Sequence, residues 1–298
     1  MKKFLIFLLA NLFLAAPVFA APKVVVSIVP LHSLVASVME GVAIPELLMQ
    51  GQNSEHNASF SPQQLADMEH ADLVFMIGDT LETKLGEING TETVGGKKFN
   101  KMLDVQGLIT RPIRRSGTWE IDADELGSGI DPHVWLDPEN AKLMVKTISE
   151  ALVKSDIQNA ITYQANTIDT LEKLDQLEAE LRTKLKPAQN KPFIVFHDAY
   201  HYFERRFGVK ALGSITNFSA IPPSAQRLEE IHQKIMSSNA ACVFREPQFT
   251  DAAVQTVIEG TKAKSSVLDP IGATLTPGPK AYGELLRQIA NNLANCLS

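Results

Sequence analysis

Short apolar runs alternate with longer segments of helical spacing along most of the chain. Apolar runs of this length are typical of strands buried on both faces, and intervening helices make such a sheet parallel. The pattern therefore predicts an α/β fold of two lobes, each with a mainly parallel sheet flanked by helices. The predicted strands are residues 24–29, 46–49, 72–77, 101–105, 193–196, 209–215, 241–244 and 265–268. The predicted helices lie near residues 31–40, 61–70, 198–206, 224–236, 250–262 and 280–295.

A segment without Gly or Pro joins the two halves, at residues 157–185. Its apolar residues recur three, four or seven apart, which predicts one long amphipathic helix, with a coiled-coil partner as the alternative. At 1.5 Å per residue the helix spans about 40 Å and forms a rigid connector, so large hinge closure is not expected. The predicted domains are residues 21–156, 157–187 and 188–298. The apolar positions are Ile161, Ala165, Ile168, Leu171, Leu174, Leu177, Leu181 and Leu185.

Residues 1–20 read as a Sec signal peptide. Lys2 and Lys3 precede an apolar stretch that closes on small residues, and cleavage is predicted after Ala20. No cysteine follows to accept a lipid, so a soluble exported protein without an anchor is expected. The formal net charge is −6 and becomes more negative when the leader is removed, which argues against nucleic acid and anionic lipid as partners.

Cys242 and Cys296 are the only cysteines of the chain. Because an exported chain meets an oxidising compartment, we predict that they form a disulfide. Two buried free thiols are the alternative.

Four candidate metal ligands lie at the boundaries of predicted elements. His197 and Asp269 each directly follow a strand of the second half. His56 lies in the loop after a strand of the first half, and His133 lies just before a helix. Because ligands of parallel α/β sheets bind beyond the carboxyl ends of the strands, we predict that these side chains surround one metal ion between the lobes. Glu55 or a water is the alternative to Asp269 in the fourth position.

The donor set favours zinc without settling the metal. Three neutral imidazoles with one carboxylate or water suit Zn²⁺, which accepts tetrahedral nitrogen and oxygen ligation. Mn²⁺ prefers more oxygen, and copper or nickel would also bind such a set in a test tube.

Other polar residues near these positions are given structural roles. Asp198 is expected to cap the helix that follows it. Residues 111–129 are expected to form a mobile surface loop, whose acidic residues Asp122, Asp124 and Glu125 are solvated. The remaining histidines are expected to be structural or solvated, namely His201, His32, His70 and His232. Of these, His201 and His32 are expected to line the site.

Several longer motifs resemble a known family from about Lys23 to the last helix. They are SIVPLHSLVASVMEGV, SEHNASFSP, HVWLDPENA, FHDAYHYFERRFG, CVFREPQF and VLDPIG. Together they look like the periplasmic zinc-binding components of ABC importers, the ZnuA-like members of the cluster A-I solute-binding proteins. The resemblance implies two α/β lobes joined by one rigid helix, a metal in the cleft, and a disulfide like the one predicted.

The resemblance also extends to individual ligands. His56, His133 and His197 match the three zinc-binding histidines, and Asp269 matches a carboxylate that ligates in some members. In other members the counterpart of Glu55 or a water fills that place. Manganese-binding relatives carry a glutamate where this chain has His197, which favours zinc. Many relatives carry a histidine-rich loop before the second ligand, whereas this chain has no histidine there, so an auxiliary zinc-capturing loop is not expected.

The implied function is a monomeric, high-affinity zinc receptor of the periplasm. It would deliver Zn²⁺ to the membrane permease of an ABC importer driven by a cytoplasmic ATPase, and it would not be an enzyme. One alternative is a manganese receptor or a metal-dependent adhesin of the same fold, although such adhesins usually keep a lipid anchor. Another is a zinc hydrolase with Glu55 as general base, because three histidines with an open fourth position also describe catalytic zinc.

Overall fold

The computed structural model describes residues 20–51, 56, 59–90, 99–115, 117–119, 129–216 and 222–298. The predicted signal peptide, Glu55 and the acidic residues Asp122, Asp124 and Glu125 lie outside the described residues. The strands are β1 (Val24–Val26), β2 (Glu46–Leu47), β3 (Leu73–Met76), β4 (Phe99–Lys101), β5 (Phe193–Val195), β6 (Ala211–Ser214), β7 (Cys242–Arg245) and β8 (Lys264–Val267).

The strands of the described chain form two four-stranded sheets, and all neighbours within each sheet are parallel. The strand orders are β2-β1-β3-β4 and β6-β5-β7-β8. The helices are α1 (Val29–Val38), α2 (Pro62–His70), α3 (Thr83–Asn89), α4 (Pro138–Ser155), α5 (Ala160–Leu185), α6 (His201–Phe207), α7 (Ala225–Ser238), α8 (Ala252–Ile258) and α9 (Ala281–Leu297). We call β1–β4 with α1–α4 the N-terminal lobe and β5–β8 with α6–α9 the C-terminal lobe. The predicted α/β fold of two lobes is confirmed.

Local sequence signals explain where several elements begin. Ser61 caps α2 as a capping box, because its Oγ accepts from Gln64 N and the Gln64 side chain accepts from Ser61 N. Two predicted strands are wrong in extent. The run 24–29 ends as a strand at Val26, because Pro30 suits the first turn of α1. In the run 101–105 the chain forms a 3₁₀ turn, and the strand β4 precedes it.

The connecting helix is α5, and its buried face differs from the predicted one. From Leu174 onward the predicted apolar positions are buried as expected. In the first half, however, Ile161 and Ile168 are 83% and 61% exposed. The buried positions there are polar or amphipathic. The first of them, Tyr163, donates its hydroxyl hydrogen bond to Asp156, next to the start of the helix. The buried residues of α5 are Tyr163, Thr167, Thr170, Leu174, Leu177, Glu178, Leu181 and Leu185.

A disulfide joins Cys242 at the start of β7 to Cys296 in α9, as predicted. Helix α9 also packs against α5 and α1, so it spans from the C-terminal sheet to the N-terminal lobe. No helix in the described part of the chain combines the length and apolar character that crossing a bilayer requires.

Candidate metal centre

The fold brings three histidines to the space between the two sheets. His197 follows β5 directly, and His56 lies in the loop between β2 and α2. His133 is the N-cap of a 3₁₀ turn, Val134–Leu136, which leads into α4. Asp137 caps α4 through its side chain, which accepts from the Glu139 backbone N–H. His133 and His197 therefore lie where the local backbone enters or leaves regular structure, whereas His56 lies within a loop.

The donor atoms of His56, His133 and His197 lie within 4.8 Å of one another. The ring centroids are 5.3 Å apart for His133 and His197, and 5.6 and 5.9 Å from His56 to these two. The Nε2 atoms of His133 and His197 are 3.3 Å apart. Among the described residues, this is the cluster of His, Cys, Asp and Glu side chains that could hold a metal ion.

Two buried carboxylates orient these rings. Asp131 accepts from Nδ1 of His133 at 2.8 Å, and Glu246 accepts from Nδ1 of His197 at 2.7 Å. With the proton held on Nδ1 in each ring, Nε2 carries a lone pair that is directed at the other histidine. Two facing lone pairs repel unless a proton or a cation lies between them. The arrangement is therefore suited to a cation that accepts both nitrogens.

The spacing of the two nitrogens matches tetrahedral zinc. Nitrogens bound about 2.0 to 2.1 Å from one tetrahedral Zn²⁺ lie about 3.3 to 3.4 Å apart, and the observed separation for His133 and His197 is 3.3 Å. Little rearrangement of these two rings would be needed to bind the ion.

Burial sets the protonation of the cluster. Burial lowers the pKa of His56 and of His133 well below the usual value, and the neighbouring imidazoles lower both further. The Nε2 atom of His56 is buried although the residue as a whole is partly exposed. Burial also raises the pKa of Asp131 to about 7, against the opposing effect of the His133 N–H and of Arg114. Neutral imidazoles at pH 7 are the form that metals bind.

Asp269 lies after β8 and is not part of the set of mutually close donors. Its Oδ1 accepts from the backbone N–H groups of Ile271 and Gly272 and from the Gln248 side chain. Its Oδ2 is buried and has no hydrogen-bond partner in the described part of the protein. A buried carboxylate oxygen of this kind is costly unless it meets a ligand or water. The role of Asp269 as a ligand stays a prediction.

The other histidines make separate contacts. Nε2 of His32 bonds the Pro45 carbonyl, and His70 bonds the Ala66 carbonyl in the last turn of α2. His232 on α7 bonds the Val257 carbonyl. Burial and the nearby arginines, Arg114 foremost, lower the pKa of His201 to about 4.

Sequence reasoning assigned Asp198 wrongly. Helix α6 begins at His201 and no side chain caps it. Asp198 instead pairs with Arg114, which also pairs with Glu204. Arg114 lies in the stretch predicted to be a mobile surface loop, and it pairs there with two buried carboxylates.

Sequence reasoning also missed Asp131 and Glu246. The position of each gave a usable signal. Glu246 follows β7 at the same edge of the sheet as His197, so the rule that located His197 also covers it. Asp131 stands two residues before His133, and its carboxylate turns back to accept both the backbone N–H and the ring of that residue.

Comparison with known proteins gives a consistent result over nearly the whole chain. Residues 24–296 match the family described as zinc-uptake complex component A, periplasmic. The chain is 42% identical to the high-affinity zinc uptake system protein ZnuA of Brucella suis biovar 1 (strain 1330), with 92% of this chain and 91% of that protein covered. It is 32% identical to the protein of the same name from Paracoccus denitrificans (strain Pd 1222), over 93% and 92% of the two chains.

The fold agrees with these relationships. A solved structure described as the crystal structure of ZnuA matches with a TM-score of 0.77 and 26% identity, covering 93% of this chain and all of the other. Two parallel sheets flanked by helices and joined by one long helix form the fold of the cluster A-I solute-binding proteins. From its sequence and its fold alike, this chain belongs to the periplasmic zinc-uptake complex component A family.

Proposed function

We propose that this protein is a periplasmic receptor that binds one Zn²⁺ between its lobes and delivers it for uptake. His56, His133 and His197 are the ligands in this proposal. The observation that carries it is the pair of carboxylate-oriented imidazoles whose Nε2 atoms lie 3.3 Å apart. The names of the relatives, which are zinc uptake proteins, support the choice of zinc.

Asp269 is proposed as the fourth ligand. Its Oδ2 is buried without a hydrogen-bond partner among the described residues, whereas Oδ1 is held by three donors. Such a carboxylate is fixed in place and has one oxygen to offer. Glu55 or a water in its place are the other outcomes, and a holo structure that resolves the coordination sphere distinguishes the three.

We infer the wider role from membership of the family. The partner is the membrane permease of a zinc ABC importer, and the ATPase acts on the receptor only through that permease. The receptor acts as a monomer and makes or breaks no bond.

The mature chain starts after Ala20, carries no lipid, and has its domains at residues 21–156, 157–187 and 188–298. Mass spectrometry of the exported protein tests the cleavage, and an intact residue 1–20 segment would contradict it.

Zinc binding is tested by calorimetry and elemental analysis on the mature protein. Wild type is expected to bind one equivalent of Zn²⁺, and replacement of His56, His133 or His197 by alanine is expected to weaken binding strongly. Replacement of His70 by alanine is the matched control, because this exposed histidine lies at the end of α2. Full zinc affinity in the three site variants would refute the assignment.

Competition between metals tests the alternatives. Preference for Mn²⁺ over Zn²⁺ at equal concentration would favour the manganese receptor. Hydrolytic turnover that is lost on chelation would favour the hydrolase.

A further inference from the structure

Residues 111–115 and Gly117–Trp119, which we call the strap, run from the N-terminal lobe onto the C-terminal lobe. The strap follows β4 and precedes His133, and Pro112 forms a β-bridge with Ile130. Its principal contact is made by Arg114, which reaches two carboxylates of the C-terminal lobe.

Arg114 binds both carboxylates through several hydrogen bonds. Its Nε donates to Oδ1 and Oδ2 of Asp198 at 3.0 and 2.9 Å, and Nη2 also donates to Asp198 Oδ1. Nη1 and Nη2 donate to the two oxygens of Glu204 at 3.1 and 2.8 Å. The Trp119 ring covers the guanidinium, with 3.4 Å from Cζ to the ring centroid. Planar, multiply bonded pairing of this kind is specific to arginine.

The carboxylates depend on this cation. Asp198 and Glu204 are only 6% and 3% exposed, and buried charges are destabilising when unpaired. Glu204 also accepts from the Ala211 backbone N–H in β6. The pairing with Arg114 therefore fixes the strap against both α6 and the C-terminal sheet.

A second anchor lies at Thr118. Its hydroxyl donates to the Leu212 carbonyl in β6, and its own carbonyl accepts from Arg227 Nη2 at 2.6 Å. The contact is so close that a Cβ at Gly213 would lie 2.6 Å from the Thr118 Cβ. The glycine allows the strap to lie directly on the strand.

The strap is connected to both sides of the metal site. Asp198, which Arg114 holds, is the residue after His197. On the other side, the Tyr202 hydroxyl accepts from the Arg111 backbone N–H at 2.9 Å and donates to the Asp131 carbonyl at 2.7 Å. Asp131 is the residue that orients His133. The strap thus contacts the residue next to His197 directly and reaches Asp131, the residue that orients His133, through Tyr202.

We propose that Arg114 is a positioning residue that holds His133 and His197 at the separation zinc requires and thereby slows zinc release. It touches no metal and acts through Asp198 and through the strap. This inference rests on the proposed zinc-binding function. Loss of Arg114 lets the two imidazoles separate while leaving the ligands themselves unchanged.

The test compares the Arg114→Ala and Arg114→Lys variants with wild type and with Arg287→Ala. Arg287 pairs with Glu180 between α9 and α5, so its loss controls for the removal of an interhelical ion pair. Each protein is loaded with one equivalent of Zn²⁺, and release into excess chromogenic chelator is followed by stopped flow. We expect release from Arg114→Ala to be about tenfold faster, in the range seen when groups that support metal ligands are removed. Arg114→Lys, which keeps the charge but loses the planar fork, should fall between, and Arg287→Ala should match wild type.

A spectroscopic readout separates positioning from a general loss of stability. With Co²⁺ bound at saturation, the visible absorption bands report the coordination geometry, and we expect them to change in Arg114→Ala but not in Arg287→Ala. If Arg114→Ala does not fold, Glu204→Gln serves instead, because it removes one of the two charges that Arg114 pairs with. Wild-type release and a wild-type Co²⁺ spectrum in the variant that folds would overturn the proposal. Failure of wild type itself to bind zinc would refute the proposed function instead.

Discussion

Glu246 offers a direct test of how the site is tuned for a cation. Both of its oxygens accept from Nδ1 of His197, at 2.8 and 2.7 Å, and one also accepts from the Tyr200 hydroxyl at 3.2 Å. The carboxylate is 1% exposed, so solvent does not screen its charge. It fixes the ring orientation and makes Nε2 a stronger donor to a metal.

Replacing Glu246 by glutamine keeps the size and one acceptor oxygen but removes the charge. Loss of such a partner typically weakens metal binding about 10- to 100-fold, which corresponds to about 1.4 to 2.7 kcal/mol. We therefore expect the zinc dissociation constant of Glu246→Gln to rise by this factor, with unchanged one-to-one stoichiometry. Glu180→Gln, at a half-exposed carboxylate of α5, is the matched control and should bind as wild type does.

Competition with a chelator of known zinc affinity measures the change, and circular dichroism establishes that both variants are folded. An affinity of folded Glu246→Gln within about threefold of wild type, well short of the usual effect, would refute the reasoning. The carboxylate would then be a structural partner of His197 without influence on its basicity.

Three further predictions concern stability. The pKa of His56 is lowered in the folded protein, so below the unfolded-state histidine pKa of about 6.5 the unfolded chain binds more protons than the folded one. Metal-free wild type should therefore lose stability relative to His56→Ala as the pH falls from 7 to 5, by up to about 1.4 kcal/mol per pH unit. Urea unfolding at several pH values measures this stability difference, and a difference that does not change with pH would contradict the prediction. Replacing both cysteines by alanine removes a cross-link between residues 54 apart, and should lower the unfolding free energy by about 2 to 4 kcal/mol in the same assay. Gly213→Ala places a methyl group 2.6 Å from the Thr118 Cβ and should cost about 1 to 3 kcal/mol, whereas Gly90→Ala, with ordinary contacts, should cost less.

The positions of the histidines were predictable because they depend on the order of elements. Once residues 193–196 are identified as a buried strand, His197 must lie at the carboxyl edge of a parallel sheet. The same rule applies to Glu246 after β7, but a single glutamate beside an arginine and a proline does not distinguish itself from surface charge. Only the fold shows that it is buried against an imidazole.

The face of α5 was predicted less well, for a different reason. Spacing alone favours Ile161 and Ile168 as buried positions, yet the helix turns Thr167 and Thr170 inward in its first half. The orientation depends on the hydrogen bond from Tyr163 to Asp156, which holds the start of the helix against the end of α4. A periodicity argument contains no information about such a contact.

The role of Arg114 could not be predicted from local sequence either. It lies in a stretch rich in Gly, Ser and charge, which reads as loop, and its partners follow 84 and 90 residues later. Pairing across that distance depends on how the lobes are placed. Elements with local causes and the meeting of the three histidines were predicted, whereas the ion pairs of Arg114 were not.

One of the two tryptophans of this chain lies beside the metal cluster, and the other lies in the strap. Trp135 is fully buried, with its ring centroid 5.2 Å from that of His133, and Trp119 covers the Arg114 guanidinium. Intrinsic fluorescence therefore contains one signal from the metal cluster and one from the strap. Single replacements by phenylalanine would separate them, so that ion entry and strap movement can be timed independently in unlabelled protein.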